Sequence, residues 1–140
     1  MVPRLAAPDD RVEVGVAGRA ARLLYSASMS MPVLDLDLLE ELRSILDDAG
    51  VREIVDLYLA EAPRSIASLE EALGAGDTAG VRSAAHRLKG AASGVGALEV
   101  TAIARAFEQA TDAGQQASID VAGLHAAAAR AAAALRALLA

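Results

Sequence analysis

From Leu34 to the C-terminus, apolar residues recur at intervals of three and four, the period of a helix buried along one side. Five such stretches follow one another. Asp35 or Asp37 can cap a first helix running to about Asp48, with Leu38, Leu39, Leu42, Ile45 and Leu46 as its apolar side and Gly50 closing it. A second runs from Val51 to about Leu73, with Val51, Val55, Tyr58, Ala62, Ile66, Leu69 and Leu73 in one seam. Pro63 lies inside it, where a proline removes one backbone hydrogen bond and bends the helix. Gly74 and Gly76 end that stretch, and Asp77 or Thr78 caps a third. Gly94-Val95-Gly96 makes a tight exit into a fourth helix from about Ala97 to Asp112, striped by Val100, Ile103, Phe107 and Ala110. After the polar loop Gly114 to Ser118, Ser118 or Asp120 caps the last helix, with Val121, Leu124, Ala128, Ala131, Leu135 and Leu138 facing in. Short connections between amphipathic helices predict an all-α fold: an antiparallel up-down four-helix bundle with an additional leading helix packed across one end.

The first 32 residues have a different character. Pro3 and Pro8 flank no continuous apolar run of the kind a signal peptide needs, and Asp9-Asp10 follows. Val12 to Val16 alternates like a short strand, Arg19 to Tyr25 has the pattern of a helical turn or two, and Ser26 to Pro32 has linker composition. The chain therefore divides into an extension, 1–32, and a helical domain, 33–140. Met29 and Met31 are alternative translation starts, a hypothesis that N-terminal mass analysis of the natural protein decides.

Composition narrows the function classes. A chain of 140 residues builds one domain with a modest core. Alanine is the commonest of its apolar residues, and Tyr25, Tyr58 and Phe107 are the only aromatic residues. Small side chains let helices approach closely, and a core without large rings has few deep pockets; both favour a binding or carrier module over an enzyme with a buried small-molecule site. Without cysteine there are no disulfides or thiolate zinc sites. The formal net charge of −6 disfavours nucleic acid and anionic membranes as partners. Arg130 and Arg136 interrupt the alanine-rich last helix, so no run reaches the ~20 apolar residues of a membrane span. A cytoplasmic location is expected. Gly94-Val95-Gly96 has Glu99 where the dinucleotide fingerprint needs its third glycine, and no phosphate-loop Gly-Lys-Ser/Thr or Glu-x-x-His pair occurs.

The third helix carries the chemistry. At about 100° per residue, Val81, Ala84, Ala85, Leu88, Ala91, Ala92 and Val95 share one face, while Arg82, Ser83, His86, Lys89, Gly90 and Ser93 share the other. Most exposed histidines are ordinary surface residues. His86 differs in its company. Lys89, three positions on, puts an ammonium within reach of a group carried on the imidazole, where it acts as a compact charge toward phosphate oxygens. Gly90 gives up roughly 1 kcal/mol of helix propensity relative to alanine, which suits close approach of something large. Arg82, Arg87 and Ser93 are candidate partner contacts. Arg82, Arg87 and Lys89 also concentrate positive charge on a body that, from Val33 onward, has nine of the 13 basic and sixteen of the 19 acidic residues. The plainer alternative is a solvated helix face. His125 has no such company and reads as a bundle or surface histidine.

At His86-x-Leu88-Lys89-Gly90, followed by Gly96-Ala97, the sequence resembles the histidine-containing phosphotransfer (HPt) domains of multistep two-component signalling. Leu57-Tyr58-Leu59 with Pro63 upstream, and Leu98 to Phe107-Glu108 downstream, extend the likeness over roughly Leu34 to Ala140. Gly94 departs from it, standing where relatives often carry a polar residue. The resemblance implies that His86 accepts a phosphoryl group from a receiver-domain aspartate, on its outward ring nitrogen, and passes it to another receiver aspartate. It also implies receiver domains of response regulators or hybrid kinases as partners. Imidazole suits this because much of it is uncharged near neutral pH. No acidic cluster is evident around His86 in the sequence, so no cofactor is expected in the chain itself, and Mg²⁺ should come with the receiver. Two other readings compete. A sensor-kinase phosphoacceptor helix pair normally has an acidic residue after its histidine and a proline soon after; here Arg87 follows, and no proline occurs beyond Pro63. A non-catalytic adaptor binding a response regulator or kinase would need no intact His-Lys-Gly set.

Overall fold

The computed structural model describes residues 32–116 and 119–140. Four helices occur in order: α1 (Leu36–Ala75), α2 (Thr78–Gly94), α3 (Leu98–Asp112) and α4 (Val121–Leu139). Each packs on the next, and α4 returns to α1, so the four form a closed antiparallel bundle. The strand and helical turns expected before Ser26, the alternative starts Met29 and Met31, and the Ser118 cap lie outside the described residues.

The leading and second helices expected from the pattern are the two arms of α1. Their boundary lies at Asp47, whose φ of 65° and ψ of 177° leave the helical region, and not at Gly50. The Asp47 carboxylate accepts a hydrogen bond from the Gly50 N–H at 2.9 Å, so it caps the start of the long arm. Gly50 is inside that first turn. A Cβ there would come within 2.8 Å of the Leu46 Cβ, so this glycine lets the corner close instead of ending a helix. Pro63 keeps helical dihedrals, since Asp47 is where α1 breaks.

Asp35 caps the leading arm by accepting from Leu38 N–H at 3.1 Å. Asp35 N–H donates to the Gly96 carbonyl at 2.8 Å, and Leu98 N–H to the Val33 carbonyl at 3.2 Å, which tie the arm's start to the α2–α3 turn. Gly96 makes that junction possible. Its φ is +71°, and a Cβ on it would come within 3.0 Å of Asp35. Of the arm's expected apolar side, Leu39 is buried and Leu38 and Leu42 are half-buried. Ile45 and Leu46 remain 71% and 36% exposed, because the last turn before the Asp47 corner runs clear of the bundle.

The long arm buries Val51, Val55, Tyr58, Ala62, Ile66 and Leu69 as its spacing predicts, with Ala72 taking the buried place at the end and Leu73 half-buried. Gly76, in the left-handed conformation, closes it with its N–H turned back to the last carbonyls. Asp77 caps α2 through Gly80 N–H at 2.9 Å, and Asp120 caps α4 through Ala122 N–H at 3.0 Å. The core is aliphatic around two rings, Phe107, which is fully buried, and Tyr58. Glu99, 4% exposed in the first turn of α3, receives a two-pronged contact from Arg130 of α4, both N–O distances being 3.0 Å. Among the described residues no helix is long and apolar enough to cross a membrane.

Candidate functional site

The two faces of α2 separate as its periodicity requires. Val81, Ala84, Ala85, Leu88 and Ala92 are buried, so the opposite face, with Arg82, Ser83, His86, Gly90 and Ser93, is turned to solvent. The His86 side chain is 70% exposed at the middle of the helix. Its backbone is rigid because Leu88, fully buried two positions on, and Ala85, fully buried one before, lock the helix against its neighbours.

The exposed ring is not free on both sides. Nδ1 of His86 is 2.8 Å from Oε2 of Glu108 on α3, and Nζ of Lys89 is 2.6 Å from Oε1 of the same carboxylate. Glu108 is 19% exposed and stands next to the buried Phe107, which fixes where its backbone lies. Partial burial works to raise its pKa, but hydrogen bonds from Lys89 and His86, and their charges, outweigh this and hold the carboxyl below the usual range. With Nδ1 engaged and the carboxylate able only to accept, a neutral ring carries its proton on Nδ1 and leaves the Nε2 lone pair outward.

Glu108 is an acidic partner that the sequence reading did not name, standing at His86 and holding Lys89. The expected positive patch is also partly neutralised. Arg82 is paired with Asp112 of α3, while Arg87 donates to the Ser83 hydroxyl at 3.2 Å. Ser93 is exposed, its hydroxyl donating to the Gly90 carbonyl at 3.2 Å. No linear spacing connects His86 with a residue 22 positions away. The available signal was an acidic residue beside the buried stripe of the helix that packs next on α2.

Gly90 is exposed, and a Cβ built on it would meet nothing within 4 Å; the same holds for Gly94. Both line an open groove of about 380 Å³ between the long arm of α1 and α2. Leu57, 65% exposed, and Arg64 form its α1 side. Arg64 makes no ion pair among the described residues. His125 is elsewhere, its Nε2 3.0 Å from Glu70, with no lysine beside it. Among the described residues no group of three or more His, Cys, Asp or Glu is placed to hold a metal ion.

A family profile for the Hpt domain matches residues 53–140. The chain belongs to the Hpt domain family. The match takes in the long arm of α1 from Glu53 on, all of α2 with His86, α3 with Glu108, and α4; the leading arm and the Asp47 corner precede it. Membership assigns the protein a phosphotransfer-type role in two-component relays and receiver domains as its class of partner. Searches of curated proteins and of solved structures return no match.

Proposed function

We propose that this Hpt domain is a cytoplasmic phosphorelay intermediate that accepts a phosphoryl group on Nε2 of His86 from a receiver aspartate and passes it to the aspartate of another receiver. The observation that carries the reading is the pairing of Nδ1 with Glu108 on a ring otherwise open to solvent. In the forward step the Nε2 lone pair attacks the phosphorus of the aspartyl phosphate. The N–P bond forms as the bond from phosphorus to the aspartate oxygen breaks, and the receiver carboxylate leaves with that electron pair. Glu108 then faces the positive charge that develops on the ring, through the Nδ1–H it already accepts. Transfer to a second receiver is the reverse reaction with a different carboxylate.

Lys89 is assigned the charge that balances the incoming phosphoryl oxygens. Its ammonium, held at Glu108, is already in the His86 cluster. Phosphoryl transfer depends more on in-line positioning and charge than on elaborate covalent machinery, and this site offers a nucleophile, an orienting carboxylate and a cation. Mg²⁺ is assigned to the receiver. The docking face extends from His86 across Gly90 and the groove beside it, with Leu57 as an apolar contact and Arg64, Arg87, Arg82 and Ser93 around it. The helical domain, 33–140, is the transferring unit in this reading.

The test is transfer from phosphorylated receivers of the source organism to the full chain, followed as an acid-labile adduct, with His86→Gln as control. Adduct on the natural chain and none on the variant supports the reading. Failure with every receiver supports an adaptor, and labelling by ATP alone would return the kinase alternative.

A further inference from the structure

The leading arm turns off the long arm at a single residue. Asp47, with φ 65° and ψ 177°, is the one position within the 40 residues of α1 whose dihedrals are not helical. That region of backbone space is almost confined to glycine, so an aspartate there stores strain, which its bond to the Gly50 N–H partly offsets. With Asp47 helical, the two arms become one straight rod about 60 Å long. The sequence allows this, since from Leu36 to Ala62 there is no proline and Gly50 is the only glycine. Gly50 also reports how tight the corner is. A Cβ on it would come within 2.8 Å of the Leu46 Cβ, whereas in a straight helix the same two residues are an ordinary i, i+4 pair.

The helical faces decide where a straightened arm can go. At about 100° per residue, Leu38, Leu39, Leu42 and Leu46 fall nearly opposite Val51, Val55, Tyr58 and Ala62. A straight rod therefore turns the arm's apolar side away from its own bundle. The arm's seat is small but specific: Leu34 and Leu39 are buried, Asp35 N–H donates to the Gly96 carbonyl, and Leu98 N–H donates to the Val33 carbonyl. An arm left without a seat would expose those side chains and orphan those backbone groups. Another chain that has straightened in the same way presents the identical seat, empty.

We propose that two copies of this chain exchange leading arms, Asp47 becoming helical and each arm docking on the α2–α3 turn of the other copy. Every contact of the folded single chain is then remade across a two-fold axis, and the strain at Asp47 is released. The rods pass each other at the hinge, beside Ile45 and Leu46, whose exposure of 71% and 36% in the single chain has no other account in the bundle. His86, Lys89 and Glu108 lie on α2 and α3 outside the exchanged contacts, so the inference goes beyond the phosphotransfer reading and does not rest on it.

The experiment is sedimentation of the full chain over a range of concentrations, beside Gly50→Ala and Asp47→Gly. A monomer–dimer equilibrium is expected for the natural chain. Gly50→Ala collides at the corner and favours the rod, so it should tighten dimerisation about 25-fold, roughly fivefold for each arm. Asp47→Gly suits the corner dihedrals and disfavours the rod, so it should weaken dimerisation by a similar factor. In dimers mixed from ¹³C-labelled and unlabelled chains, isotope-filtered NOEs between Leu34 and Ala97, paired within the single chain, should appear between chains. A natural chain that stays monomeric at NMR concentrations overturns the proposal. So does a dimer whose Leu34–Ala97 contacts remain within each chain, or one that Gly50→Ala and Asp47→Gly shift in the same direction.

Discussion

Gly90 separates stability from function in one substitution. It occupies an interior position of α2, thirteen residues into a helix of 17, where glycine costs about 1 kcal/mol relative to alanine. A Cβ there meets nothing within 4 Å, so Gly90→Ala has no steric penalty within the chain itself. The variant should therefore be more stable by about 1 kcal/mol, a rise in melting temperature of roughly 4 °C for a domain of this size. Its effect on transfer should have the opposite sign. If a receiver's surface comes down on this spot, the added methyl holds it off, and misplacement of reacting atoms by about 1 Å costs on the order of 100-fold in rate. Gly74→Ala is the control. It is also exposed with open space around it, but in the last turn of α1, away from the α2 face. It should gain stability without slowing transfer. The assays are thermal melts and single-turnover transfer from a phosphorylated receiver. Gly90→Ala transferring at the natural rate while melting higher would refute the idea that this glycine is clearance for a partner.

Three further outcomes follow from the same geometry. Glu108→Gln removes a charge-assisted, solvent-reached contact worth about 1 kcal/mol, so transfer should slow about fivefold. The Glu108 pKa is lower in the folded chain than unfolded, so its contribution to stability is present above the usual carboxylate range and lost as pH falls through the depressed value. Denaturant midpoints of the natural chain should thus decline more than those of the variant over that acid window; parallel declines would contradict the pairing. Leu88→Ala opens a cavity beneath the His86 helix at a fully buried position, and should destabilise by about 2–5 kcal/mol in urea unfolding. Gly80→Ala should lower the melting temperature, in contrast to Gly90→Ala. Its Cβ would stand 2.5 Å from the Asp77 carboxylate and 3.0 Å from the Ala72 Cβ, displacing the α2 cap at a cost of about 1 kcal/mol.

The buried faces were legible in the sequence because burial of a helix follows its own period. Val81, Ala84, Ala85 and Leu88 could be assigned inward, and His86 outward, with no knowledge of the neighbours. The caps were legible to within a residue or two for the same reason: Asp35, Asp77 and Asp120 were each one of two candidates, and each bonds an N–H two or three residues on. Where the pattern misled, a single arm was involved: Ile45 and Leu46 continue the spacing of Leu38 and Leu42, yet they project past the bundle. Periodicity says which residues share a side, and only the neighbouring surface says how far along that side the cover extends.

Glu108 shows the other limit. Its contacts with His86 and Lys89 join α3 to α2, and they depend on the rotation and axial offset of two helices, quantities set by packing at Leu88, Val100 and Phe107 together. The Asp47 corner and the groove beside Gly90 are likewise products of how whole elements meet. From its sequence alone this chain determines that it is a bundle of helices with a histidine turned outward beside a lysine and a glycine. Tertiary structure decides which nitrogen of that histidine faces solvent, because the carboxylate that engages the other one comes from a different helix.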